Sequence, residues 1–107
     1  MRFRSYKPAV RFVWDERKSR QNLAKHQVSF ETAALVFDDP FARSMPDRVV
    51  NGEERWQTLG LVAGVVVLLV AHTVSEEEGE EVIRIISARK ATRRERRAYE
   101  EGRQAPN

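Results

Sequence analysis

Cysteine is absent from the 107-residue chain. That excludes disulfide cross-links, thiolate metal sites and a cysteine nucleophile. Histidine is nearly as scarce: only His26 and His72 occur, without the spacing of a zinc-binding motif. A metal centre would have to draw most of its ligands from carboxylates, so neither a metal nor another cofactor is expected. Long apolar runs are missing too, because Leu59 to Ala71 is broken by Gly60 and Gly64 and falls short of the ~20 residues that cross a bilayer. The opening Met1-Arg2-Phe3-Arg4-Ser5-Tyr6-Lys7-Pro8 is basic but leads into no apolar stretch, unlike a secretory signal. With no repeat or low-complexity segment, the expectation is a cytoplasmic protein that avoids membranes. Residues 1–107 read as one domain, with residues 1–9 as a disordered extension.

Charge is present in quantity and unevenly placed. Residues 1–25 hold eight Lys/Arg against two acids, residues 26–88 four against eleven, and residues 89–107 seven against three. Basic ends around an acidic middle suit contact with a polyanion through the terminal segments, although solvated helix faces would produce similar runs. Fifteen of the nineteen cations are arginine, whose planar fork matches phosphate better than a lysine ammonium does.

Periodicity predicts an α+β fold in the order β-α-α-β-β-β-β-α, a mostly antiparallel sheet with its helices on one face. Val10 to Trp14 is β-branched and aromatic, and Asp15 can cap a helix over Glu16–His26. That helix has only Leu23 and Ala24 as apolar residues, and it aligns Lys18, Asn22, Lys25 and His26 on one side. Ser29 caps a second helix with Phe30, Ala33, Ala34 and Phe37 in register, ended by Asp38-Asp39-Pro40. Strands follow over Phe41–Val50, Glu54–Leu61, Val65–Val74 and Val82–Ile86. They are separated by a turn at Asn51-Gly52, a turn near Gly64 and an acidic loop over Ser75–Glu80. Val65 to Val70 is unbroken apolar, as in a central strand covered on both faces. Thr92-x-x-Glu95 is a capping box for a last helix running to about Glu101, with Gly102 placed to end it.

Metal-free RNA cleavage needs a base for the 2′-hydroxyl, cations for the phosphorane and an acid for the leaving oxygen. Residue types suited to those tasks interrupt the strands: Glu53, Arg55, Arg84 and Arg89. Each has a structural alternative. Arg84 can pair with Glu53 or Glu54 across the sheet; His72 reads as a buried histidine and His26 as either a helix C-cap or a base. Trp14 and Trp56 read as core before they read as base-stacking surfaces. Arg84 and Arg89 have opposite strand parity, so they share a face only if the strand ends or bulges between Ile86 and Arg89. Arg93, Arg96 and Arg97 form one stripe on the last helix and, with Lys18 and Lys25, are the candidates for nucleic-acid contact.

Taken in order, these residues resemble the BrnT toxin family. The likeness runs from Phe12-x-Trp14-Asp15-x-x-Lys18-x-x-x-Asn22-x-x-Lys25-His26-x-Val28-Ser29-Phe30 through Glu53-x-Arg55 and Gly60. It continues in Arg84-Ile85-Ile86-Ser87-Ala88-Arg89-x-Ala91-Thr92-x-x-Glu95-Arg96-x-x-Tyr99. The resemblance implies a RelE-like fold, ribonuclease activity that slows translation, and neutralisation by a BrnA-type ribbon-helix-helix antitoxin. Operator DNA would be met only through the complex with that antitoxin. It also implies that Glu53, Arg55, Arg84 and Arg89 hold the family's recurring polar positions, with Lys18, Lys25 and His26 in its helical motif. Two rivals use the same basic faces: a non-catalytic RNA or ribosome binder, and a co-repressor acting with its antitoxin.

Overall fold

A computed structural model describes residues 9–104; of the expected extension over residues 1–9, all but Ala9 lies outside them. Among the described residues five strands make one sheet: β1 (Val10–Val13), β2 (Arg43–Val50), β3 (Glu53–Val62), β4 (Val66–Glu77) and β5 (Glu80–Lys90). Their spatial order is β1-β5-β4-β3-β2. β1 runs parallel to β5 and every other pairing is antiparallel, so the sheet is mixed. Helices α1 (Glu16–His26) and α2 (Phe30–Ala34), the latter running into a 3-10 turn at Leu35–Asp38, join β1 to β2; α3 (Arg93–Gln104) follows β5.

Three hairpins turn on a pair of residues with positive φ: Asn51-Gly52 (51° and 79°), Ala63-Gly64 (55° and 67°) and Glu78-Gly79 (52° and 79°). The first and third loops consist of that pair alone, and the second adds Val65 before β4 begins. This turn type matches the twist of the flanking strands. The third hairpin corrects the acidic loop expected over Ser75–Glu80: β4 continues to Glu77 and β5 starts at Glu80. Arg11 of β1 makes this possible by pairing with Glu77 and Glu80 at 3.4 and 3.1 Å, which offsets the repulsion among the acids.

Helices lie on both faces, not on one as expected. On the first face Val28, Phe30, Ala33 and Val36 pack on Val62, Leu68, Val70, Ile83, Ile85 and Ala88. Alternate residues, Leu59, Val67 and Leu69, meet Ala91 and Tyr99 of the α3 segment on the second face. β4 is the central strand and apolar on both sides, as its composition predicts. Asp39 ties the faces together, accepting hydrogen bonds from Phe41 N–H (2.9 Å), Leu61 N–H (2.8 Å) and the Tyr99 hydroxyl. The capping box forms, with Thr92 N–H donating to Glu95 Oε1 (2.8 Å) and Glu95 N–H to Thr92 Oγ1 (3.2 Å). Gly102 lies inside α3, which runs three residues past the expected end.

α1 has no apolar stripe to bury, and it is fastened by polar groups instead. Its buried residues are Ser19 and Asn22. Ser19 Oγ accepts from Phe30 N–H (3.2 Å), while the Asn22 amide donates to Val28 C=O and Ala88 C=O (both 2.8 Å) and accepts from Ala88 N–H (3.1 Å). Asn22 thus clips the helix directly to β5. No described helix is long and apolar enough to cross a membrane.

Candidate active site

The parity conflict between Arg84 and Arg89 is resolved by a bulge. Ala71 pairs with Ser87 but His72 with Ile85, leaving Ile86 as an extra residue in β5. Across it the alternation resets. Arg84 pairs with Thr73 and Arg89 with Leu69, and both side chains emerge on the second face. The cross-strand rows Gln57–Ala71–Ser87 and Leu59–Leu69–Arg89 place β3 on the same reference. Arg55 and Glu53, two and four residues before Gln57, project from that face too.

α3 covers the Leu59–Leu69 end of the face and leaves the other end open. There three adjoining hollows form a groove between α1 and β5. One, of about 240 Å³, is lined by His26, Gln57, Ser87 and Arg89. A second is lined by Asp15, Lys18, Arg55, Arg84 and the bulged Ile86. The third joins them, with Lys18, Asn22, Lys25 and His26 on one wall and Ile86 and Ser87 on the other. Of the residues expected at a site, His26, Glu53, Arg55, Arg84, Arg89, Lys18 and Lys25 are therefore brought to one side of the sheet. Arg93, Arg96 and Arg97 are exposed on α3 and line none of the three hollows. Arg96 donates to Ala91 C=O (3.1 Å) and borders a separate hollow near the Gly64 turn.

His72 faces the other way. It is 2% exposed, its Nε2 lies 2.7 Å from Thr58 Oγ1, and its ring meets Phe37 edge-on. Burial, only partly offset by the Thr73 backbone, holds its pKa below the usual histidine value. Trp14 stacks edge-on against Phe30 in the first core. Trp56 pairs with His72 and so points away from the groove.

The family model described as the ribonuclease toxin BrnT of type II toxin–antitoxin systems matches residues 14–95. The chain belongs to the BrnT family. The fold is also that of the Brucella abortus ribonuclease toxin BrnT: the two structures agree with a TM-score of 0.61 at 23% sequence identity, over 79% of this chain and 100% of that one. No curated protein matches the chain in sequence. Membership in the BrnT family makes the chain a ribonuclease toxin with RNA as its substrate and an antitoxin as its counterpart.

Within the matched BrnT segment, the arginines are oriented by carboxylates. Glu53 accepts a hydrogen bond from Arg84 Nη2 and lies 3.7 Å from Arg55 Nε. Arg89 forms a fork with Glu95, Nη1 to Oε1 at 2.8 Å and Nη2 to Oε2 at 3.0 Å, and Nη1 also reaches Lys90 C=O (3.2 Å). The hydrogen bonds from Arg89 are the chief reason that the Glu95 carboxyl is held down to about 2, and the same contact raises the Arg89 pKa. Neither pair is buried. The Arg89 side chain is 38% exposed, and of its five N–H groups Nε–H and one on Nη2 remain for a ligand. Sequence reading had missed Gln57 and Ser87; only the pairing register puts them in the groove. Among the described residues no three His, Asp or Glu side chains gather as metal ligands.

Proposed function

We propose that the groove cleaves single-stranded RNA without a metal, by attack of the ribose 2′-oxygen on the adjacent phosphorus. The observation that carries this reading is the Ile86 bulge, which sets Arg84 and Arg89 on one open face with Glu53, Arg55 and His26. Arg84 and Arg89 hold the non-bridging oxygens as charge builds on them, and Arg55 assists. Displacement at phosphorus needs a base on one side and an acid on the other. His26 lies in the hollow with Arg89, and Glu53 pairs with Arg84 in the neighbouring one. Placed apart in this way, one takes the 2′-hydroxyl proton and the other protonates the departing 5′-oxygen. Lys18 and Lys25 on α1, together with the α3 arginines Arg93, Arg96 and Arg97, attract and steer the RNA chain.

In the cell this chemistry would act in the cytoplasm and slow translation, and a BrnA-type ribbon-helix-helix antitoxin would restrain it and carry the complex to operator DNA. The decisive experiment incubates purified protein with single-stranded RNA in EDTA. New 5′-hydroxyl ends are expected; intact RNA together with slowed translation would instead indicate a non-catalytic blocker. Arg84→Ala should lower kcat by about 10²–10³-fold while the thermal midpoint stays near that of the parent. Unchanged cleavage in that variant would remove Arg84 from the site.

A further inference from the structure

A second bulge, in β2, places another arginine on the groove face. Met45 pairs with Gln57 and Pro46 with Trp56, but the next pair is Arg48 with Arg55, so Asp47 is the extra residue. Without it the alternation would send Arg48 to the opposite face; with it Arg48 stands directly across from Arg55. Two like charges at facing positions of an antiparallel pair repel each other.

Nearby acids do little to relieve this. Glu53 is engaged by Arg84 and sits 3.7 Å from Arg55 Nε, at a distance too long for a hydrogen bond. Asp47 is 3.7 Å from Arg48 Nε, whose side chain is 72% exposed. Asp15 is occupied capping α1, accepting from Arg17 N–H and Lys18 N–H. Arg55 Nε is buried and has no hydrogen-bond partner among the described residues. A buried guanidinium N–H that has a carboxylate nearby but no hydrogen bond, and that faces a second guanidinium, is unfavourable until an anion accepts from it.

We infer that Arg48 and Arg55 form a subsite for a second RNA phosphate, one nucleotide from the phosphate that is cut. Neighbouring strands lie ~4.8 Å apart, so the two guanidinium groups can converge on one phosphodiester. The chain would then run from the α1–β5 groove towards the edge strand β2, and the toxin would prefer substrates with at least two phosphates. This inference rests on the ribonuclease reading only for the identity of the ligand. Its new element is Arg48, which takes no part in the chemistry proposed above; Arg55, which lines the hollow with Arg84, stands between the two phosphates and is shared by them.

The test compares wild type, Arg48→Gln and Arg48→Lys in two assays. In the first, cleavage of a twelve-nucleotide RNA is set against a dinucleoside monophosphate, which has a single phosphate. Arg48→Gln should raise KM for the longer RNA about tenfold at unchanged kcat and leave the dinucleotide unaffected, and Arg48→Lys should recover part of the loss. In the second, an uncleavable 2′-O-methyl twelve-mer is titrated with salt; Arg48→Gln should make the log–log slope shallower by about 0.7, the value for one phosphate contact on a single strand. Equal effects on both substrates, or no change in slope, would overturn the subsite. If the wild type cuts nothing, the ribonuclease reading fails, while the binding titration still decides the role of Arg48.

Discussion

At the scale of single residues, the molecule depends on polar groups placed where apolar ones would ordinarily do the fastening. Asn22 makes three hydrogen bonds to main-chain groups of Val28 and Ala88 in a buried setting. Asn22→Ala would leave those groups unpaired, at a cost of about 2–4 kcal/mol. Chemical denaturation would show the loss as a lower midpoint, and activity should fall with it because α1 carries Lys18, Lys25 and His26. A midpoint unchanged from wild type would mean that α1 is held by something else. Gly60 is the converse case, a position where nothing fits. A Cβ there would lie 2.7 Å from Val36 Cβ and 2.8 Å from Val36 O, so Gly60→Ala should destabilise by about 1–3 kcal/mol through overpacking, read as a drop in thermal midpoint.

At the scale of elements, two bulges do the positioning. Each inserts one residue into a strand, Ile86 in β5 and Asp47 in β2, and each turns an arginine onto the groove face. The same strand pairings without the extra residues would bury or misdirect those side chains, since parity alternates strictly along a strand. α3 contributes in another way. Glu95 closes the capping box with Thr92 and simultaneously grips Arg89, so the start of the helix and the orientation of a groove arginine are one structure. Much of this level was legible in the chain: the helix over Glu16–His26, the Asn51-Gly52 hairpin and the capping box all stand where local signals put them. The hairpin at Glu78-Gly79 was not, because a run of acids masks strand alternation and the compensating Arg11 lies 66 residues away in sequence from Glu77.

At the scale of the whole molecule, α3 is attached to the sheet through two carboxylates, and this makes the attachment sensitive to acid. Burial acts against the charge on Asp39, but hydrogen bonds from Leu61, Tyr99 and Phe41, with Arg103 nearby, outweigh it and hold the carboxyl below its ordinary value. Glu95 is held at about 2 against an ordinary 4.5. A carboxylate whose folded pKa is depressed contributes stability that is complete above its unfolded pKa and lost as pH falls through the folded one. Thermal midpoints should therefore hold down to the ordinary carboxylate range near 4.5 and decline from there towards pH 2. Glu95→Gln should show a lower midpoint at neutral pH and a shallower decline in acid; a parallel decline would place the sensitivity elsewhere. Composition and local pattern alone determined that this chain has no cysteine chemistry, that it is an α+β protein with this order of elements, and that its cations are mostly arginine, because each of those depends on residues close together in sequence. Which arginines share a face, which helix covers which side, and which histidine meets the groove were decided only by tertiary structure, since each rests on strand register and on partners such as Asn22 and Ala88 that lie 66 residues apart.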